Sequence, residues 1–113
     1  MKGLILGTTF LKYGALGPPK QRHVFLQENG KRLGWKDPGA TSTKKSRVII
    51  LREITAIIDG RETKKFKRYK AGSTRHQEEL SFSIVTKKRT LDLEAAHLED
   101  KVQFMSNLQI IMQ

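Results

Sequence analysis

Apolar residues recur at every second position through most of this chain, the period of a half-buried β-strand. Leu4, Leu6, Thr8 and Phe10 alternate with Ile5, Gly7, Thr9 and Leu11, which predicts a strand over residues 4–13. Gly7 within it predicts a bulge or bend. A second strand follows over 23–27, with Val24 and Leu26 inward and His23, Phe25 and Gln27 outward. Asn29-Gly30 is the strongest short hairpin signal and leads into a short strand over 32–35. Residues 36–45 read as loop, with Asp37-Pro38-Gly39 as a turn. A β-branched run over 47–51 and an alternating run over 54–58 give two more strands, the second closed by Asp59-Gly60. Leu80, Phe82 and Ile84 mark the next strand. Lys87-Lys88-Arg89 turns it into a last one over 90–94.

The period then changes. Leu98, Val102, Met105, Leu108 and Met112 fall three or four apart, Phe104 and Ile111 widen the stripe, and Glu99 and Asp100 suit a helix first turn. A helix is expected over about 97–112. The pattern is therefore mainly β with one helix, about seven short antiparallel strands covered at an open end by the C-terminal helix. The chain of 113 residues is expected to be a single domain, 1–113, with a modest core. The stretch 61–79 carries Arg61, Lys64, Lys65, Lys67, Arg68, Lys70 and Arg75 with Phe66 and Tyr69 interleaved. It reads as a basic mobile loop, or as a loop holding a short helix.

Charge narrows the function. The net charge of +11 points to a polyanionic partner, an anionic membrane or nucleic acid. Phe66 and Tyr69 alone are too few aromatics for a nucleic-acid sheet face, so no specific nucleic-acid binding is expected. The chain has no cysteine, its three histidines lack close metal-ligand spacing, and neither a metal nor a cofactor is expected. No apolar run is long enough to span a bilayer, and Met1-Lys2-Gly3 is not the Met-Gly start of a myristoylation signal. Nucleotide-binding and hydrolase motifs are absent. Asp92 and Glu94 share one strand face, expected to be solvated on the exterior rather than an acid/base pair, and no enzyme is expected. Trp35 is expected to pack.

The candidate site lies around Gly14-Ala15-Leu16-Gly17-Pro18-Pro19. Lys12 leaves on one strand, and Lys20 and Arg22, two apart on the returning strand, share a face. Lys and Arg about a Gly-rich turn supply charged donors to a phosphate.

These features together resemble a pleckstrin-homology (PH) domain. Lys12, seven intervening residues, then Lys20-Gln21-Arg22 is similar to the phosphoinositide signature of that family. Within the family the chain most resembles the N-terminal domain of delta-type phospholipase C, through Leu11-Lys12, Leu26-Gln27-Glu28, Gly60, Thr63, Phe82-Ser83-Ile84-Val85 and Thr90-Leu91-Asp92-Leu93. An acylated apicomplexan PH protein that senses phosphatidic acid is a second likeness. Phe104 falls where the family has a helix tryptophan. The resemblance implies two near-orthogonal sheets forming a seven-stranded barrel capped by the helix. It also implies a membrane-targeting module on the cytosolic face of membranes, peripheral and cytoplasmic, in which Lys12, Lys20 and Arg22 grip a phosphoinositide or phosphatidic acid headgroup. Pro38, Gly39 and Ala40 stand where delta-type domains carry a Ser-Arg-Lys run, so Lys36, Lys44 and Lys45 are the candidates to substitute. Pro18 replaces a loop tryptophan, leaving Leu16 as the membrane contact. These departures argue against high-affinity, stereospecific bisphosphate recognition and leave a simpler monoester headgroup, such as phosphatidic acid, open. The alternative is a PH-like protein-interaction module with only weak, non-specific lipid binding, whose loop over residues 61–75 docks an acidic partner. A place inside a larger phospholipase C-like protein would leave the catalytic residues outside this chain.

Overall fold

The computed structural model describes residues 6–27 and 30–113. The strands are β1 (Thr8–Tyr13), β2 (Lys20–Leu26), β3 (Arg32–Lys36), β4 (Val48–Ile50), β5 (Ile54–Asp59), β6 (Ser81–Thr86) and β7 (Thr90–Glu94). The helices are α1 (Lys64–Lys70), α2 (Arg75–Glu79) and α3 (Leu98–Met112). The seven strands form one antiparallel hydrogen-bonded order, β4-β3-β2-β1-β7-β6-β5. β4 and β5 lie at opposite edges of that order, yet only the 3-10 turn Leu51–Glu53 joins them. Four peptide steps reach no more than about 14 Å. The sheet must therefore roll until its edges approach, which makes the barrel.

The expected first strand is shorter than its pattern. Leu4 and Ile5 lie outside the described residues, as do Glu28 and Asn29 of the hairpin turn. Leu6 is exposed, and Gly7 precedes β1 with φ +93. A Cβ on Gly7 would stand 2.5 Å from His23 Nε2 and 2.8 Å from the Val24 carbonyl oxygen. Only glycine allows the chain to enter the sheet there. The last expected residue of the fourth strand, Leu51, belongs to the 3-10 turn.

The core collects the inward positions of every strand: Phe10, Val24, Leu26, Leu33, Trp35, Ile49, Ile54, Phe82, Ile84, Leu91 and Leu93. Phe10 meets Phe82 at 5.4 Å and Phe104 at 5.0 Å between centroids, both edge to face, a preferred aromatic geometry. α3 closes the end of the barrel away from the β1–β2 turn. Its inner face is Lys101, Phe104, Asn107 and Leu108, whereas Leu98 and Val102 are half exposed. The stripe expected to run from Leu98 through Val102 is thus rotated. Lys101 takes the inner position because its ammonium donates to the Glu79 carbonyl at 2.6 Å and pairs with Asp59.

The segment 61–79 contains α1 and α2, capped by the hydroxyls of Thr63 and Thr74. It passes over the outer face of β7 and seats Phe66 there, fully buried. This overturns the expectation that Asp92 and Glu94 are solvated. Asp92 is buried and accepts from the hydroxyls of Thr63 and Ser83, each at 2.6 Å, and of Thr90 at 2.8 Å. Glu94 is paired with the buried Arg61. An outward position is solvated only where nothing covers it, and α1 covers this one.

A cationic mouth between three turns

Antiparallel pairing puts the β1–β2 turn, the β3–β4 loop and the β6–β7 turn at one end of the barrel. The inner face of β1 runs from Phe10 to Lys12, and the paired face of β2 from Val24 through Arg22 to Lys20. Lys12 stands opposite Lys20 in register, and Phe10 opposite Arg22. The same wall is apolar in the core and cationic at its rim. Trp35 faces inward and is buried; Lys12 Nζ lies 6.0 Å from its ring centroid and the Arg89 guanidinium carbon 4.9 Å. Lys12 is half-buried. Its ammonium is held below the usual lysine range, first by loss of hydration and then by repulsion from Lys65, Arg89 and Arg22; Asp92 opposes this. Cations converging in this way outnumber the two carboxylates beside them, Asp37 and Asp92, and make a site that favours a further anion.

The remaining cations differ in disposition. Lys20 is exposed and in no ion pair among the described residues. The Arg22 guanidinium forms an ion pair with the Asp37 carboxylate at 2.8 Å, and Arg47 donates to the same oxygen at 3.4 Å. Arg89 donates to the Ser46 carbonyl at 2.7 Å, tying the β6–β7 turn to the β3–β4 loop. Lys65, from α1, donates to the Thr90 carbonyl at 3.3 Å beside Asp92.

Of the positions expected to substitute on the β3–β4 hairpin, Lys36 does not join the cluster. Trp35 points inward, so its neighbour points outward, and Lys36 lies over the Phe25 ring at 5.1 Å. Lys44 and Lys45 are exposed on the loop, Lys45 lining a groove of about 530 Å³ shared with Lys88 and Arg89. Leu16 is 91% exposed at the tip of the β1–β2 turn. That turn is braced from α1: the Tyr69 hydroxyl lies 2.8 Å from the Gly14 carbonyl and 3.2 Å from that of Gly17, and Arg68 donates to Ala15 at 3.0 Å.

Arg89, Lys65 and Asp37 were absent from the sequence-derived set. The first was recoverable, because antiparallel order alone sends the Lys87-Lys88-Arg89 turn to this end. Lys65 depends on the path of α1 across β7, which no local pattern encodes.

No protein-family profile matches the chain, and neither does any curated protein sequence. Solved structures do. Inner membrane complex sub-compartment protein 1 of Toxoplasma gondii superposes with a TM-score of 0.69 at 19% identity, covering 98% of this chain and 86% of that one. The carboxyl-terminal PH domain of pleckstrin gives 0.67 at 23% identity over 96% and 97% of the two chains. The same pleckstrin domain in complex with D-myo-Ins(1,2,3,5,6)P5 gives 0.65 at 20% identity, over 93% and 91%. The phospholipase C PLC21 of S. officinalis gives 0.69 at 16% identity, this chain spanning 16% of it. The chain therefore has the pleckstrin-homology fold.

Proposed function

We propose that this domain targets membranes by binding an anionic phospholipid headgroup, a phosphoinositide or phosphatidic acid, in the cationic mouth. The observation that carries the reading is the placement of Lys12, half-buried against Trp35 with Arg22, Arg89 and Lys65 close enough to depress its ionisation. In this reading Lys12 and Arg22 hold the phosphate from the barrel wall, Lys20 and Arg89 close over it, and Leu16 enters the bilayer from the braced turn. Arg supplies a fork to phosphate oxygens and Lys a point charge. A bound inositol phosphate in the pleckstrin domain of the same fold supports a phosphorylated ligand. The domain then sits peripherally on the cytosolic leaflet, where such lipids and their surface potential are found.

The test is sedimentation with vesicles of phosphatidylcholine containing phosphatidic acid or a phosphoinositide. Lys20→Ala with Arg22→Ala removes two charges worth about 1 kcal/mol each, so partitioning should fall roughly thirtyfold with the thermal midpoint kept. Undiminished binding by the folded double variant removes the mouth from the mechanism. Soluble inositol phosphate should release the wild-type domain from vesicles; failure to do so favours the alternative, a protein-interaction module with weak, non-specific lipid affinity.

A further inference from the structure

Asp37 brings a carboxylate against the cations of the mouth. Arg22, a rim cation whose side chain is only 15% exposed, spends its guanidinium on the Asp37 carboxylate at 2.8 Å, and Arg47 approaches the same oxygen at 3.4 Å. Asp37 is itself 62% exposed, on the Asp37-Pro38-Gly39 turn whose Asp37 carbonyl accepts from Ala40 at 3.0 Å. Nothing buries the carboxylate, so it can swing into solvent without opening the core. We infer that Asp37 is a built-in competitor that occupies Arg22 in the free protein and is displaced when a phosphate enters, setting the affinity of the mouth. The inference rests on the reading that the mouth binds a phosphorylated headgroup, but its chemistry needs only a phosphate.

The physics fixes the size and the sign. An ion pair with one exposed partner is worth little, and holds at most about a fivefold bias against a competing anion. Removing it frees a preformed cation whose position is set by β2 rather than by Asp37: Arg22 stands in register with the core residue Phe10, and its guanidinium also donates to the Gln21 carbonyl at 2.8 Å. Asp37→Asn keeps the turn-forming side chain and deletes the charge.

The experiment titrates the folded domain with inorganic phosphate, following the Arg22 guanidinium and backbone amides by nuclear magnetic resonance at fixed ionic strength. Asp37→Asn is expected to bind phosphate about three- to fivefold more tightly, and the gain should vanish when Arg22→Gln is present in both proteins, because the coupling belongs to that pair. A gain that persists without Arg22 overturns the inference, since Asp37 then acts only as a nearby negative charge. Unchanged or weakened binding in Asp37→Asn also overturns it, by showing that the carboxylate holds Arg22 in place. Vesicles with phosphatidic acid separate this from the headgroup reading: tighter phosphate binding in Asp37→Asn with no vesicle binding by either protein sinks the lipid and leaves the competitor standing.

Discussion

Arg61→Met should be the most damaging single change outside the aromatic core. Arg61 is 2% exposed, and its guanidinium donates to the Ser81 hydroxyl at 3.0 Å, to the Tyr13 hydroxyl at 2.9 Å and to the Glu94 carboxylate. It also lies over the rings of Tyr13 and Phe66, 4.6 and 4.9 Å from their centroids. Met fills much of the space but strands the Glu94 carboxylate in a buried site, with the Tyr13 hydroxyl as its remaining donor. Breaking one side of a buried pair costs about 3–5 kcal/mol, a large part of the 5–15 kcal/mol typical of a domain. Urea unfolding followed by far-ultraviolet circular dichroism measures the loss, provided the slope with denaturant is unchanged. The double change Arg61→Met with Glu94→Leu removes the stranded charge too, and should be more stable than Arg61→Met alone. A loss below about 1 kcal/mol, or a double variant less stable than the single one, would falsify the assignment of Arg61 and Glu94 as a mutually dependent buried pair.

Two further outcomes test how the mouth is built. Tyr69→Phe deletes the hydroxyl at 2.8 Å from Gly14 and keeps the ring against Tyr13, so it should cost only about 1 kcal/mol yet speed amide exchange across residues 14–17; exchange unchanged in that turn would show that α1 does not brace it. For Lys12 the sign follows from its depressed ionisation. Between its folded-state pKa and the unfolded value near 10.5, the native chain holds fewer protons than the unfolded chain, so stability rises with pH across that window. Subtracting the pH profile of Lys12→Gln isolates this gain. Tyr13, pushed up by burial and by its bond to Glu94, contributes with the opposite sign in alkali but is present in both proteins. Parallel profiles would mean that Lys12 is not desolvated.

Most of the barrel could be read from alternation, because strands with one buried face carry a period of two whatever their partners. The failures occur where a second layer alters what a face meets. Asp92 and Glu94 look like solvent-facing positions of a strand, yet both are buried, since Phe66 and the hydroxyl of Thr63 arrive from a segment that reads as charged loop. On α3, Leu98 and Val102 carry the apolar signal while Lys101 holds the inner position, because an ammonium that reaches the Glu79 carbonyl and the Asp59 carboxylate can be buried. The candidate site divides the same way. Lys20 and Arg22 share a face by strand period, and the hairpin register sets Lys12 opposite Lys20. The same period turns Lys36 away, and the counter-charge of Asp37 depends on a loop path that pairing does not specify.

The polarity of the whole molecule follows from the same antiparallel order. Three turns at one end bring Lys12, Lys20, Arg22, Lys45, Arg47, Lys88 and Arg89 into one region. At the closed end, beside α3, cations and anions are mixed: Asp59 and Glu79 line a groove with Lys101, and Lys31 and Arg52 lie near Ile111 and Met112. A net charge of +11 distributed evenly would draw the domain to any anionic surface in any orientation. On the proposed membrane reading, the cations gathered at the turn end would also orient it, because a leaflet acts over about a Debye length, roughly 8–10 Å at physiological salt, and so acts chiefly on the nearer end. The turn that presents Leu16 is at that end and is braced by Tyr69 and Arg68, so in the proposed membrane encounter the exposed apolar tip and the mouth would arrive together. Net charge alone would give attraction; under the proposed reading the order of the strands would turn that attraction into docking.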